Sequence, residues 1–242
     1  MKQGLIPRTL GEKIVSLAEM FPIVTLTGPR QSGKTTLARA KFADYAYVNL
    51  ENLDDRLAAE EDPLRFLRPH SDTGIIVDEI QKVPSLFSYL QGIVDESGKM
   101  GKYVLTGSQN FLLLDKITQS LAGRVAVCNL LPLGLTELIG PDLLDEDLNR
   151  LMFTGGYPVL YDRHIPPSDY FPSYIQTYIE RDVRGISNVG NLSTFQRFVK
   201  LCAGRVGQLL NLSNLGTELG INYKTVRSLS LIHISEPTRL QV

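Results

Sequence analysis

The sequence predicts an α/β fold, a parallel sheet with helices on both faces, followed by a mostly helical second part. The first observation is that short apolar runs alternate with helical patterns along the first 135 residues. The second is a glycine-rich loop placed directly between an apolar run and a helix. The third is a change of character after Pro132, beyond which helical patterns dominate. We therefore expect two domains, over residues 1–135 and 136–228.

The elements of the first domain follow from apolar periodicity. A first helix is predicted over residues 8–20, with one apolar face formed by Leu10, Ile14, Leu17 and Ala18. The predicted strands are 23–27, 45–50, 75–77, 102–106 and 125–131. The later helices are 36–42, 54–67 with a break at Pro63, and 85–97. Ser85 is expected to cap the last of these helices, with its inward face formed by Leu86, Leu90, Ile93 and Val94.

The composition excludes several classes of protein. With 25 basic and 26 acidic residues the net charge is −1, so the chain as a whole is no general polyanion binder. Cys128 and Cys202 form no C-x-x-C pair, which favours buried, reduced thiols. No apolar stretch approaches the roughly 18 residues that span a bilayer. We expect a cytoplasmic protein with no membrane partner.

The glycine-rich loop has the spacing G-x-x-x-x-G-K-[ST], which is typical of phosphate-binding loops. Its residues are Gly28, Pro29, Arg30, Gln31, Ser32, Gly33, Lys34 and Thr35, with Thr36 following. A strand ends before it and a helix begins after it, so free helix N–H groups would face a bound phosphate. Lys34 is expected to reach the β- and γ-phosphates, and the Thr35 hydroxyl to hold Mg²⁺.

Two acidic residues follow the apolar run Ile75–Val77. A carboxylate at the carboxyl end of a buried strand, beside the loop, suits Mg²⁺, and we give Asp78 that role. Glu79 is the candidate that activates the water attacking the γ-phosphate. Alone, the pair could equally be a solvated strand end; its position downstream of the loop favours function.

Two further polar positions are candidates. Ser108, with Thr106 as second choice, ends the next strand and could sense the γ-phosphate; the alternative is an ordinary turn. Arg124 precedes the last strand and could stabilise γ-phosphate charge, from its own subunit or from a neighbouring one. The alternative for Arg124 is a surface arginine at a helix end.

Together these segments resemble the AAA-type ATPases of bacteria and archaea. The amino-acid sequence of residues 26–37, 77–84 and 120–124 is similar to that of a poorly characterised branch of this family. Members of that branch join an AAA module to a C-terminal domain of unknown function. Residues 177–183 resemble the start of that second domain. The resemblance implies ATP, Mg²⁺ and an extra strand between the two nucleotide-binding strands. It also implies that Ser108 is the first sensor and Arg124 the arginine finger.

Residues 212–227 predict two short helices around Gly220, as in a helix-turn-helix. Leu215, Leu219, Ile221 and Val226 would form its core. Exposed positions Tyr223, Lys224 and Arg227 could face DNA, and residues 191–227 carry five bases against one acid. The alternative is a winged-helix-like module for packing or protein contacts.

The last residues, 229–242, do not continue the preceding helical period. The string from Leu229 to Arg239 matches one reading frame of a common transposon-end sequencing adapter. We therefore expect a non-native tail joined to a C-terminally truncated fragment.

The sequence thus predicts an enzyme, a Mg-ATP-dependent ATPase that acts as a conformational switch, with a homo-oligomer as one form in which it could act. The alternative is an ATP-gated module that binds DNA or protein with little turnover. A third hypothesis is a regulator that recognises DNA chiefly through residues 212–227. GTP is disfavoured because no Asn-Lys-x-Asp motif occurs. Small-molecule kinases use the same loop, but the Asp78–Glu79 pair suits hydrolysis better.

Overall fold

The computed structural model describes residues 5–108, 120–184, 192–205 and 207–235. Within them, the side chains of residues 178–184, 192, 228 and 231–235 are not described. The chain divides into two compact units, Met1–Leu144 and Asp145–Val242. This division falls later than residue 135, the boundary that the sequence predicts, and it leaves the helix Leu135–Ile139 within the first unit.

The first unit is built on a five-stranded sheet whose paired strands all run parallel. The strands are β1 (Ile23–Thr27), β2 (Ala46–Asn49), β3 (Ile75–Asp78), β4 (Tyr103–Thr106) and β5 (Val125–Asn129). Their order across the sheet is β2-β3-β4-β1-β5. Strand β4 therefore lies between β1 and β3, which confirms the extra strand that the resemblance implies.

Helices cover both faces of this sheet. They are α1 (Leu10–Met20), α2 (Lys34–Lys41), α3 (Leu53–Glu61), α4 (Pro63–Leu67), α5 (Leu86–Ser97) and α6 (Leu135–Ile139). One core layer joins α5 to the sheet through Ile75, Val77 and Leu105; the other joins α1 and α2 through Val24, Leu26 and Val104. Strands β1, β3 and β4 are buried along their whole length, which explains their continuous apolar runs.

One predicted detail of α5 is wrong. Its inward face is buried as expected, but the Ser85 side chain makes no capping hydrogen bond. The backbone of Ser85 is already in the right-handed helical region, and the preceding turn supplies the acceptors that a cap would provide. The N–H groups of Leu86 and Phe87 donate to the carbonyls of Val83 and Pro84.

In the described part of the second unit, all the regular secondary structure is helical. Its helices are α7 (Leu148–Thr154), α8 (Pro158–Asp162), α9 (Pro167–Arg184), α10 (Leu192–Ala203), α11 (Leu212–Leu219) and α12 (Tyr223–Ser235). Aromatic side chains fill its core, including Tyr157, Tyr170, Tyr174, Phe195 and Phe198. Helix α12 continues past residue 228, where the sequence predicts a break, because Leu229 is fully buried in this core. The origin of residues 229–242 stays a prediction.

Candidate functional site

The glycine-rich loop connects the buried strand β1 to the first turn of α2. Gly28 has φ +141°, and a Cβ there would lie 2.2 Å from the Leu130 carbonyl oxygen, so only glycine fits beside the neighbouring strand. Gly33 has φ +93° and directly precedes α2. These two glycines let the loop fold tightly and present the amino end of α2 to its interior.

Lys34 points into this loop. Its side chain is buried, and Nζ donates hydrogen bonds to the carbonyl oxygens of Gly28 (2.9 Å) and Pro29 (2.8 Å). The ammonium group is thus held at the centre of the loop, where the negative charge of a phosphate would compensate it.

Asp78 is hydrogen-bonded directly to helix α2, which follows the glycine-rich loop. The Thr35 hydroxyl lies 3.0 Å from Oδ1 and 2.9 Å from Oδ2 of this carboxylate. The Thr106 hydroxyl, at the carboxyl end of β4, also donates to Oδ1. The structure therefore brings together the two residues that the sequence assigns to Mg²⁺, and it places Thr106 on the carboxylate.

A third hydroxyl on Asp78 comes from Tyr47, which the sequence analysis missed. Tyr47 lies on β2 and its hydroxyl donates to Oδ2 over 3.0 Å. Burial and the negative charge of Asp78 raise the pKa of Tyr47 to about 12, so it stays a donor at neutral pH. The Arg39 guanidinium lies 4.7 Å from the centre of its ring and holds it in place.

Glu79 adopts a backbone conformation that is unusual for its residue type. Its φ is +57°, in the left-handed region where a side chain costs energy. The carboxylate accepts a hydrogen bond from the Gln81 side-chain amide, which also lies 3.3 Å from the buried Ser108 hydroxyl. Ser108 and Glu79 are therefore linked through one side chain, as the sequence alone did not indicate.

Arg124 lies at the amino ends of the strands, opposite to the phosphate-binding loop at their carboxyl ends. Its carbonyl accepts from the N–H of Ile23, at the start of β1, whereas the loop follows the end of that strand. The five residues of β1 separate these two ends of the strands by roughly 15 Å. Its guanidinium makes two hydrogen bonds to Asp95, at 2.6 and 2.8 Å. This geometry does not support a contact between Arg124 and the loop of its own subunit.

A buried ion pair next to the loop also escaped the sequence analysis. Arg8 Nε lies 3.2 Å from the Glu137 carboxylate, and its other nitrogens donate to the carbonyls of Ser32 (2.6 Å) and Leu131 (2.5 Å). Glu137 also accepts from the backbone N–H groups of Thr9 and Gly134. This cluster ties the start of the first unit and helix α6 to the glycine-rich loop.

We expect Glu137→Gln to lower the free energy of unfolding by about 3 kcal/mol at neutral pH, because it leaves Arg8 buried without its counter-charge. Burial raises the pKa of the Glu137 carboxyl, but the N–H groups of Gly134 and Thr9 and the charge of Arg8 outweigh it and hold the pKa below its usual value. The unfolded chain thus binds this proton more readily, so the stabilisation is present above about pH 4.5 and is lost as the pH falls further.

Urea unfolding of both proteins at pH 7 and at pH 4 measures this effect. The difference between Glu137→Gln and the parent should narrow at the lower pH. Glu12→Gln is the matched control, since Glu12 pairs with Lys41 at the surface and should change stability by less than about 1 kcal/mol. Equal effects of the two substitutions would contradict a structural role for the buried pair.

The donor set of this site is sparse but suits Mg²⁺. Within the described ranges, no group of three or more His, Cys, Asp or Glu side chains could enclose a metal ion. Mg²⁺ commonly uses one or two protein oxygens together with substrate phosphates and water, and Thr35 and Asp78 supply two adjacent oxygen groups.

In the second unit, α11 and α12 form the helix-turn-helix that the sequence predicts. Leu215, Leu219 and Val226 are buried, and Gly220 turns the chain with φ +69°. Tyr223, Lys224 and Arg227 are exposed on α12. Of the other bases in this region, Arg205 pairs with Glu218 and Arg197 donates to the Glu218 carbonyl.

A phosphate-binding loop between a central parallel strand and a helix, beside a strand that ends in Asp-Glu, defines the class of P-loop nucleoside triphosphatase domains. Residues 20–139 match the family model of the AAA domain, and residues 145–232 match a domain of unknown function (DUF8612). The chain is therefore a member of the AAA superfamily with a C-terminal domain of unknown function, which confirms the resemblance noted in the sequence.

Two mycobacterial proteins with similar sequences are described as uncharacterized. Proteins of Mycobacterium tuberculosis (Rv2008c) and Mycobacterium bovis (Mb2031c) are each 33% identical over 212 residues, 85% of this chain and 46% of theirs. The chain thus spans about half the length of these relatives. Among solved structures, a Walker-type ATPase of Pyrococcus abyssi matches with a TM-score of 0.61 at 16% identity, covering 96% of this chain and 90% of that one.

No helix in the described part of the chain combines the length and apolar character required to cross a membrane. Cys128 and Cys202 are free thiols; Cys128 is buried, as the sequence predicts, whereas Cys202 is half-buried, and burial raises the pKa of each.

Proposed function

We propose that the first unit binds ATP with Mg²⁺ and hydrolyses it, and that the turnover drives a conformational switch. The observation that supports this most is the direct hydrogen bonding between Thr35, on the loop helix, and Asp78, at the end of β3. One carboxylate and one hydroxyl are thereby set at the mouth of the phosphate-binding loop.

Each residue of the site is given a role in ATP binding or hydrolysis that follows from its chemistry. The loop N–H groups and Lys34 would bind phosphate oxygens, and Thr35 and Asp78 would hold Mg²⁺, which would supply positive charge to offset that of the phosphates. Glu79 accepts the proton of the attacking water. Ser108 contacts the γ-phosphate. Of the three hydroxyls on Asp78, those of Tyr47 and Thr106 fix its orientation.

The experiment that tests this function compares Lys34→Met with Lys41→Met, at the two ends of helix α2. We expect Lys34→Met to weaken ATP binding by roughly 10- to 100-fold, because charge-assisted hydrogen bonds to phosphate are lost. Lys41 pairs with Glu12 at the surface, so its substitution should leave binding unchanged. Calorimetric titration with ATP measures both; equal affinities would contradict the assignment of the loop.

Arg124 enters this proposal only as a contribution from a neighbouring copy. If Arg124 acts on the nucleotide, its distance from its own loop requires a homo-oligomer that presents it to another subunit's γ-phosphate; the alternative is a surface arginine that pairs with Asp95. Recovery of ATP turnover when Arg124→Ala and Lys34→Ala proteins are mixed would support a shared site, and the absence of any recovery would contradict it.

A second candidate function for the C-terminal unit is contact with DNA. The supporting observation is that Lys224 and Arg227 are exposed on the second helix of the helix-turn-helix, where phosphate contacts are made in such motifs. Binding of this kind weakens steeply with salt. The absence of any gel shift with duplex DNA at low ionic strength would contradict this role.

A further inference from the structure

Gln81 joins the two residues to which the proposed function gives hydrolysis and γ-phosphate sensing. It lies in the single helical turn Ile80–Lys82 that follows β3 and Glu79. Its side-chain nitrogen donates to Oε2 of Glu79 and lies within hydrogen-bond distance, 3.3 Å, of the Ser108 hydroxyl oxygen. One amide group therefore contacts both residues at once.

The hydrogen-bond chemistry of the three groups gives this contact a direction. An amide nitrogen only donates, a carboxylate only accepts, and a serine hydroxyl donates one hydrogen and accepts on its oxygen. Because Gln81 donates to Ser108, the serine hydrogen points elsewhere and is available to another acceptor. Gln81 donates to Oε2 of Glu79, which leaves Oε1 without a bond from Gln81 and able to accept a proton from water.

The orientation of the Gln81 amide follows from the same chemistry. Its carbonyl oxygen, Oε1, is buried and has no hydrogen-bond partner among the residues that the structure describes. Turning the amide over would place this oxygen against the Glu79 carboxylate, and two acceptors would then face each other. The donor therefore faces Glu79, although the amide oxygen gains nothing from this arrangement.

We infer that Gln81 is a positioning residue that keeps Ser108 a donor toward the γ-phosphate and Glu79 an acceptor toward the attacking water. The inference rests on the proposed function, because both roles belong to ATP hydrolysis. Without the amide, the serine hydroxyl is free to donate to the nearby carboxylate. One change would then weaken both γ-phosphate sensing and water activation.

The test is Gln81→Met, which keeps the size of the side chain and removes its donor. We expect kcat to fall about tenfold, because Glu79 is no longer aligned with the attacking water. We also expect the preference for a non-hydrolysable ATP analogue over ADP to fall about fivefold or more, as one hydrogen bond to the γ-phosphate weakens. Gln91→Met, on helix α5, is the matched control and should change neither quantity.

A Ser108→Ala background separates this positioning role from a general loss of structure. If Gln81 acts on γ-phosphate binding through Ser108, adding Gln81→Met to Ser108→Ala should leave the analogue-to-ADP affinity ratio unchanged. Gln81→Glu gives a second route to the same result if the methionine variant does not fold. It keeps the shape, replaces the donor by a charge facing Glu79, and should lower kcat at least as far.

The outcomes distinguish this inference from the proposed function. A parent protein that binds ATP without turnover would contradict hydrolysis, while a reduced affinity ratio in Gln81→Met would still support the positioning role. Parent-like kcat and affinity ratio in folded Gln81→Met, or in folded Gln81→Glu if the first does not fold, would overturn the inference.

Discussion

Replacement of Glu79 by glutamine is expected to remove most ATP turnover while ATP binding is retained. Glutamine has the shape of glutamate, and its oxygen can still accept the hydrogen bond from Gln81, so the site keeps its geometry. It cannot take a proton from water, and general-base catalysis typically contributes 10²- to 10⁴-fold. We expect a loss in kcat of roughly 10²-fold or more, measured by phosphate release.

The matched control for this substitution is Glu61→Gln, at the exposed end of helix α3. It makes the same chemical change outside the site and should leave both binding and turnover unaltered. Unchanged turnover in Glu79→Gln would show that another group activates the water. Loss of ATP binding together with turnover would instead point to a structural role for this carboxylate.

Replacement of Asp78 by asparagine is expected to uncouple ATP binding from Mg²⁺. The asparagine oxygen can still accept from Thr35 and Thr106, so the link between β3 and the loop helix persists. The negative charge that attracts the metal is lost, because a hard cation prefers carboxylate oxygen. In the parent protein, Mg²⁺ should tighten ATP binding by about tenfold or more, and in the variant by much less.

Calorimetric titrations with ATP, in Mg²⁺ and in EDTA, measure this coupling without relying on turnover. Asp54→Asn, on the exposed side of helix α3, provides a control that removes the same charge elsewhere. If Asp78→Asn responded to Mg²⁺ as strongly as the parent, the carboxylate would not belong to the metal site.

Local patterns were sufficient to predict the sheet and the loop. The strands that carry the site are buried on both faces, so their apolar runs are continuous and easily recognised. The loop depends on glycines at fixed spacing, which the sequence shows directly. The carboxyl ends of parallel strands share one edge, so Asp78 could be placed beside the loop before its contacts were known.

The contacts that complete the site depend on pairings that no local pattern contains. Tyr47 reaches Asp78 because β2 pairs with β3 in the register that sets Asn49 opposite Asp78. Arg8 and Glu137 lie near opposite ends of the sequence of the first unit, and only the folded chain brings these two charges together.

Arg124 illustrates the opposite case, in which sequence order suggested a contact that the geometry does not support. The residue stands directly before a strand next to β1. In a parallel arrangement, the residue before a strand lies at the amino edge of the sheet, whereas the loop follows the carboxyl edge. Sequence order alone therefore does not show that Arg124 is far from the loop of its own subunit. The direction of the parallel strands does show it.

Steady-state phosphate release by the unmodified chain, with ATP in Mg²⁺ and again in EDTA, tests the central claim most directly. The account predicts continuous release in Mg²⁺ that stops in EDTA and is lost in Glu79→Gln. ATP binding without any release in Mg²⁺, or release that is indifferent to both EDTA and Glu79→Gln, would contradict it.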